Sequence, residues 1–185
     1  MLFPEDPREL FEMAAQSFDL AERLQTPIFV MEDLDIGMND WLCRPFAWDD
    51  SRVYDRGKII TAEDLDAGNH FNRDSKIGPL TFGRYLDVDG DGIPYRTLPG
   101  NQHPLASYFT RGTGHDEYAK YTEDSDTFHR NMLRLKKKYE TAKTYVPKPV
   151  IFNGTKSKTA IIAYGSTESA INEARDLMAQ DQGIQ

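Results

Sequence analysis

Between residues 44 and 115 the chain is punctuated by Pro45, Gly57, Gly68, Gly78, Pro79, Gly83, Gly90, Gly92, Pro94, Pro99, Gly100 and Pro104, so no helical period runs long enough to complete a helix. Proline removes a backbone donor and glycine raises the entropic cost of ordering, which makes this stretch an irregular connector. Connectors of such length are uncommon inside a compact domain unless they are functional or wrap a partner. Short strands are expected within it at Lys58 to Ile60 and Leu80 to Leu86. The remaining regular structure must come from the flanks.

Upstream, Asp6-Pro7-Arg8-Glu9 reads as an N-cap, a first-turn proline and the acidic third residue of a capping box. Leu10, Phe11, Ala14, Ala15, Phe18, Ala21 and Leu24 then recur at helical spacing. Thr26-Pro27 ends that helix, and Ile28 to Met31 reads as a strand buried on both faces, of the parallel-sheet kind. It opens into Glu32 to Asp40, an acidic loop at the carboxyl end of a strand, where α/β folds place ligands. A loop that merely caps the strand is the plainer alternative.

Downstream, Ser125 is placed to cap a long helix over about 125–143, with Phe128, Met132, Leu135 and Tyr139 as its apolar stripe. The basic run Arg134 to Lys138 lies on it as a solvated face. Val146-Pro147-Lys148-Pro149 reads as an extended linker. Thr159 to Tyr164 follows as a second buried strand, and Ser166 as the cap of a helix carrying Ala170, Ile171, Ala174, Leu177 and Met178. One strand and one helix cannot bury their apolar faces alone, so both ends read as parts of larger sheets. The fold class expected is α/β.

With 30 acidic against 22 basic residues the net charge is −8, which argues against a phosphate-backbone binder, so no nucleic-acid partner is expected. Cys43 is the only cysteine, which excludes an internal disulfide framework and an iron–sulfur cluster held by this chain alone. It is expected to be a buried structural thiol. Apolar runs are strand-sized, too short to span a bilayer, and the first residues lack a signal-peptide pattern. The expected compartment is a reducing cytoplasm.

Three segments carry candidate chemistry. Asp87, Asp89 and Asp91 alternate ahead of Gly92, as oxygen ligands do in the first half of a calcium loop, but Leu98 stands where its bidentate glutamate belongs. Either these three hold a divalent metal or they form a glycine-rich turn bonding to local backbone. Tyr164-Gly165-Ser166-Thr167 joins a strand to a helix start, either an anion-binding turn or an ordinary cap. Tyr108 to Glu117 gathers Arg111, His115, Asp116 and Glu117 into the densest polar cluster. Arg111 either pairs with a ligand anion or pins the loop to Asp116 or Glu117. No Walker loop, nucleophile elbow, His-Glu-x-x-His pair or dinucleotide fingerprint appears.

Phe18 to Arg23 with Gln25-Thr26-Pro27, Asp33 to Asn39, Asp87 to Gly92 with Ile93 to Gly100, Tyr108 to Glu117, Lys148-Pro149 and Ala163 to Ser166 occur in order along nearly the whole chain. Together they resemble the α subunit of the 2-oxoacid:ferredoxin oxidoreductases, closest to the 2-oxoglutarate type. The resemblance implies oxidative decarboxylation of a 2-oxoacid to an acyl-CoA with reduction of ferredoxin. It implies a partner β subunit holding thiamine diphosphate, Mg2+ and an iron–sulfur cluster, none of them held by this chain alone. Residues 1–45 would be the C-terminal part of the pyrimidine-binding domain, 46–155 its connector, and 156–185 the start of a transketolase C-terminal-like domain. The family's catalytic segment would lie upstream of Met1, so no catalytic residue is carried over, and the chain alone is expected to be inactive. Asp33, Asp35, Arg111 and His115 remain candidates for lining or bracing the site. The alternative expectation is a divalent-cation or subunit-interaction module without catalysis of its own.

Overall fold

In a computed structural model the chain is described over residues 1–68, 83–108, 112–152 and 158–182. The elements are α1 (Pro7–Leu24), α2 (Leu34–Met38), α3 (Ala62–Asp66), α4 (Ser125–Ala142) and α5 (Thr167–Gln182). The described residues contain isolated β-bridges and no strand, so only the helical part of the α/β expectation is seen. They form two compact units: Met1–Glu22, Thr26–Asp55 and Pro147–Gln185 in the first, Arg23–Gln25 and Arg56–Val146 in the second.

In the first unit, α1 starts as its sequence predicts. Asp6 Oδ1 accepts from the Glu9 N–H at 2.7 Å, while the Glu9 carboxylate reaches back one residue further than a capping box does, to the Glu5 N–H at 2.7 Å. Its buried residues are Met13, Leu20 and Leu24, so of the expected stripe Leu24 alone is buried, and Phe18 stands 68% exposed. Asp19 instead fixes the segment after α2, accepting from Arg52 Nη2 at 2.6 Å and the Asp55 N–H at 2.9 Å. Phe11 stacks on Phe46 at 4.9 Å.

The two expected buried strands are corrected. Residues 28–31 make one parallel bridge, to Leu2, with Phe29 and Met31 exposed. Ile161 and Ile162 are also exposed, and α5 leaves Leu177 and Met178 uncovered. A strand buried on both faces requires neighbours on both edges and both faces. The described residues supply one edge contact to 28–31 and no bridge to 159–164. Cys43, expected to be buried, is exposed. It sits in an extended stretch where neighbouring Leu42 and Phe46 are uncovered too.

The second unit has its own small core of Ile60, Leu65 and Ala106 with Tyr95 packed against it, and Ile93 is fully buried. Thr61 caps α3 through a complete capping box with Asp64. The strand expected at 58–60 is reduced to a parallel bridge between Ile59 and Arg96, held by Ile60 N–H to Arg96 O at 2.8 Å and Arg96 N–H to Lys58 O at 3.0 Å. Of the other expected strand, 80–82 lie outside the described residues, and 83–86 form a turn closed by the Leu86 N–H on Gly83 O at 3.0 Å.

Candidate functional site

The second unit is organised by α4, and by its polar side. Its N-cap is Asp124, one residue before the Ser125 that the sequence suggests, accepting from the Thr127 N–H at 2.8 Å. The expected apolar stripe faces outward at Phe128, Met132 and Tyr139, while Thr127, Asn131 and Lys138 are buried. The surface beneath the helix is loop backbone, which offers carbonyl oxygens in need of donors. Asn131 Nδ2 donates to His115 O at 2.6 Å, Arg134 Nη1 to Gly92 O at 3.1 Å, Lys138 Nζ to Gln25 O at 3.3 Å, and Thr141 Oγ1 to Asp91 O at 2.7 Å. Positions 131, 134, 138 and 141 share one helical face, so α4 presents a row of donors to the loops. Lys138 therefore departs from the solvated reading of the basic run.

One of those loops is Asp87 to Gly92. Gly92 has φ of 81°, and a Cβ there would lie 2.3 Å from Lys138 N and 2.6 Å from Arg134 O. Only glycine allows this backbone to rest on the helix. Within the loop, Asp87 Oδ1 accepts from the Gly92 N–H at 3.0 Å and Asp91 Oδ1 from the Ile93 N–H at 2.8 Å, the local turn the sequence offered as one alternative. The remaining carboxylates meet a cation of the chain itself. Lys58 Nζ stands 2.7 Å from Asp89 Oδ2, 2.7 Å from Asp91 Oδ2, 3.0 Å from Ile93 O and 5.2 Å from the Tyr95 ring centre. Burial alone would lower the Lys58 pKa, but its bonds to Asp89 and Asp91 raise it above the ordinary lysine value.

The other loop brings His115 to the inward face of α4. His115 stacks on Tyr85 at 4.1 Å between ring centres, and its Nδ1 lies 3.0 Å from Asp116 O. Tyr85 also lies under the guanidinium groups of Arg84, at 4.9 Å, and Arg134, at 5.8 Å. Burial lowers the Arg134 pKa, which Asp87 opposes and Arg84 reinforces; Lys138 is lowered by burial and by both arginines. Glu117 is engaged by Arg130 at 3.0 Å. Asp116 Oδ1 is taken by the N–H groups of Tyr118 and Lys120, each at 2.9 Å. Arg111 lies outside the described residues. Gly112 to His115, Tyr121, and residues of α4 including Phe128, Asn131, Met132 and Arg134 wall a cavity of about 610 Å³.

The remaining candidates belong to the first unit. Asp33 is the N-cap of α2, its Oδ1 accepting from the Ile36 N–H at 3.1 Å. Its Oδ2 accepts both the N–H and the hydroxyl of Ser166, each at 2.9 Å. These bonds, led by the one from the Ser166 backbone, hold the Asp33 carboxyl below the usual aspartate range. Gly165 has φ of 67°, and a Cβ there would come within 2.6 Å of Asp33 Oδ2. The turn before α5 thus receives an internal carboxylate. Asp35 turns elsewhere, its Oδ1 accepting from Asn39 Nδ2 at 3.2 Å.

Lys58, Tyr85 and Asn131 enter the site without being singled out in the sequence, and Arg134 enters it from a basic run read as a solvated face. For Asn131 and Arg134 the spacing was visible, in phase with Lys138 and Thr141, but polar residues at helical spacing usually mark the solvent face.

No family model matches the chain. It is 27% identical over 183 residues, 97% of its own length, to the 2-oxoacid:ferredoxin oxidoreductase 2 subunit alpha of Aeropyrum pernix. The match covers 25% of that protein, so the chain spans about a quarter of the length of this curated relative. This similarity supports the resemblance at the level of the 2-oxoacid:ferredoxin oxidoreductases, and does not distinguish the 2-oxoglutarate type. Among the described residues, no helix is long and apolar enough to cross a membrane.

Proposed function

We propose that the chain is part of the α subunit of a 2-oxoacid:ferredoxin oxidoreductase. The observation that carries this reading is the similarity along 97% of the chain to a subunit of that name. Asp33 and Ser166 lie in two of the motifs that carry the resemblance, and they meet across 133 positions of sequence.

The finer reading is a cytoplasmic enzyme acting on 2-oxoglutarate and CoA and reducing ferredoxin, with a β subunit that holds thiamine diphosphate, Mg2+ and an iron–sulfur cluster. This chain's own donors do not fit such a cluster, since Cys43 is its single thiol. Among the described residues no group of three or more His, Cys, Asp or Glu side chains is placed to hold a metal ion. The part left to this stretch is structural: α4 and Asp33 fix loops whose motifs carry the resemblance. The alternative reading as a divalent-cation module is less favoured, because the Lys58 ammonium already bridges Asp89 and Asp91.

The complete α reading frame, coexpressed with a β subunit, should reduce a viologen with 2-oxoglutarate in a CoA-dependent way. Preference for another 2-oxoacid would remove only the 2-oxoglutarate assignment. Absence of turnover with every 2-oxoacid tried would overturn the reading.

A further inference from the structure

The turn Asp87 to Ile93 and the side chain of Lys58 fit one another position by position. The first half of a calcium loop takes oxygens from side chains at its first, third and fifth positions and from the backbone carbonyl at its seventh, with glycine sixth for the turn. Counted from Asp87, these are Asp87, Asp89, Asp91, Ile93 and Gly92. Lys58 Nζ lies 2.7 Å from Asp89 Oδ2, 2.7 Å from Asp91 Oδ2 and 3.0 Å from Ile93 O. The third, fifth and seventh oxygens therefore converge on one cation, and that cation is an ammonium brought from 31 positions before Asp89. An ammonium has three donors, one for each of these oxygens.

Both halves of the arrangement are held from elsewhere. Asp87 Oδ1 closes the turn on the Gly92 N–H at 3.0 Å, and Asp91 divides its oxygens, Oδ1 to the Ile93 N–H at 2.8 Å and Oδ2 to the ammonium. The root of the Lys58 side chain is fixed beside the exit of the turn, because Lys58 O accepts from the Arg96 N–H at 3.0 Å. The ring of Tyr95, two residues past Ile93, covers the ammonium at 5.2 Å. With its side chain 11% exposed, Lys58 is set into the turn rather than laid across it. The departure from a metal loop suits a single charge. Leu98 occupies the twelfth position, where a calcium loop places its bidentate glutamate, and a monovalent ammonium has no use for the 6–8 oxygens that Ca²⁺ gathers.

We propose that Lys58 is the resident cation of a calcium-type loop, which makes the loop independent of metal, and that the loop accepts a divalent cation once the ammonium is removed. The inference does not rest on the enzyme reading. It also differs from a metal-binding module, since the unaltered chain keeps its own cation in place.

Ca²⁺ titrated at constant ionic strength into the ¹⁵N-labelled chain provides the test. In the wild type the Gly90, Gly92 and Ile93 amide signals should show no saturable shift up to about 20 mM Ca²⁺. In Lys58→Met the same signals should shift saturably with Kd of about 1–10 mM, a weak site because two aspartates and one carbonyl act without the bidentate glutamate. Adding Asp91→Asn to that variant removes one of the charged oxygens and should weaken binding about tenfold. Saturable loop shifts in the wild type, none in Lys58→Met, or a response that survives Asp91→Asn unchanged would each overturn the proposal. Should Lys58→Met be unfolded in chelator, Ca²⁺ should restore its dispersed spectrum, and failure to restore it would overturn the proposal as well.

Discussion

Replacing the Lys58 ammonium with the end of a methionine side chain leaves Asp89 and Asp91 facing each other without their shared cation, and leaves Ile93 O without its donor. The Lys58 side chain is 11% exposed and its two acceptors 41% and 28%, so the cluster is neither fully desolvated nor a surface pair. Lys58→Met should cost about 1–3 kcal/mol, between the worth of an exposed pair and that of a buried one, read from urea denaturation. A loss below experimental error would mean that the Asp87 to Gly92 turn stands on its backbone bonds alone. Asp33 allows a second prediction at this scale. Asp33→Asn keeps one acceptor but sets an NH₂ group against donors of Ser166 and Ile36. Faster amide exchange at Ser166 and Ile36 is expected, with exchange in α4 as the internal reference. Unchanged protection at both would remove Asp33 as the clamp between α2 and the turn before α5.

At the scale of elements, the two glycines of the aspartate turn separate backbone strain from close packing. Gly90 and Gly92 have φ of 72° and 81°, but a Cβ on Gly90 meets open space, whereas one on Gly92 meets the α4 backbone at 2.3 Å. Gly90→Ala should cost about 1 kcal/mol for the left-handed conformation alone. Gly92→Ala should cost that and the displacement of α4, about 3–5 kcal/mol in all. Equal costs in chemical denaturation would refute the seating of the loop on the helix.

The same elements indicate how much was legible beforehand. The long helices are legible, because caps and prolines act locally: α1, α4 and α5 begin within a residue or two of expectation, whereas the short α2 and α3 lie in stretches that read as loop and connector. The faces were not. Which side of α4 turns inward depends on its neighbours, and these present carbonyl oxygens where an apolar core was assumed. For that reason the sequence leaves Asn131 unmarked and reads Arg134 and Lys138 as solvated, although it singles out His115, whose carbonyl Asn131 holds. The strands failed for a related reason. An apolar run fixes what a segment would bury, while pairing partners are a property of the fold.

At the scale of the molecule, the ionisable groups whose folded pKa departs from its ordinary value set the pH range of stability. Asp33, Asp124 and Glu117 are held low, the first two by bonds from helix-start backbone and the third, against its burial, by Arg130. A carboxyl with a lowered folded pKa contributes stability that is present above its unfolded value and lost as pH falls through the folded one. Glu5 acts in the opposite direction, raised by burial and by neighbouring carboxylates, Glu168 first. Lowered carboxyls outnumber it, so stability should fall as pH drops below about 4. On the alkaline side two lysines oppose each other. Lys58, raised by Asp89 and Asp91, contributes stability that is full below its unfolded value of about 10.4 and is lost as pH rises through its folded one. Lys138, lowered by burial, carries a charge that costs stability at neutral pH, a cost relieved as pH rises through its folded value. Urea midpoints between pH 3 and 10 should therefore show a steep acid limb and a shallow alkaline one. In Lys58→Met the midpoints should rise between about pH 8 and 9 through the relief of Lys138, before Tyr95 and Tyr121, both with raised pKa, oppose it as pH reaches their unfolded value of about 10. A fall over about pH 8 to 9 in that variant would mean that Lys138 is not the buried charge its surroundings make it.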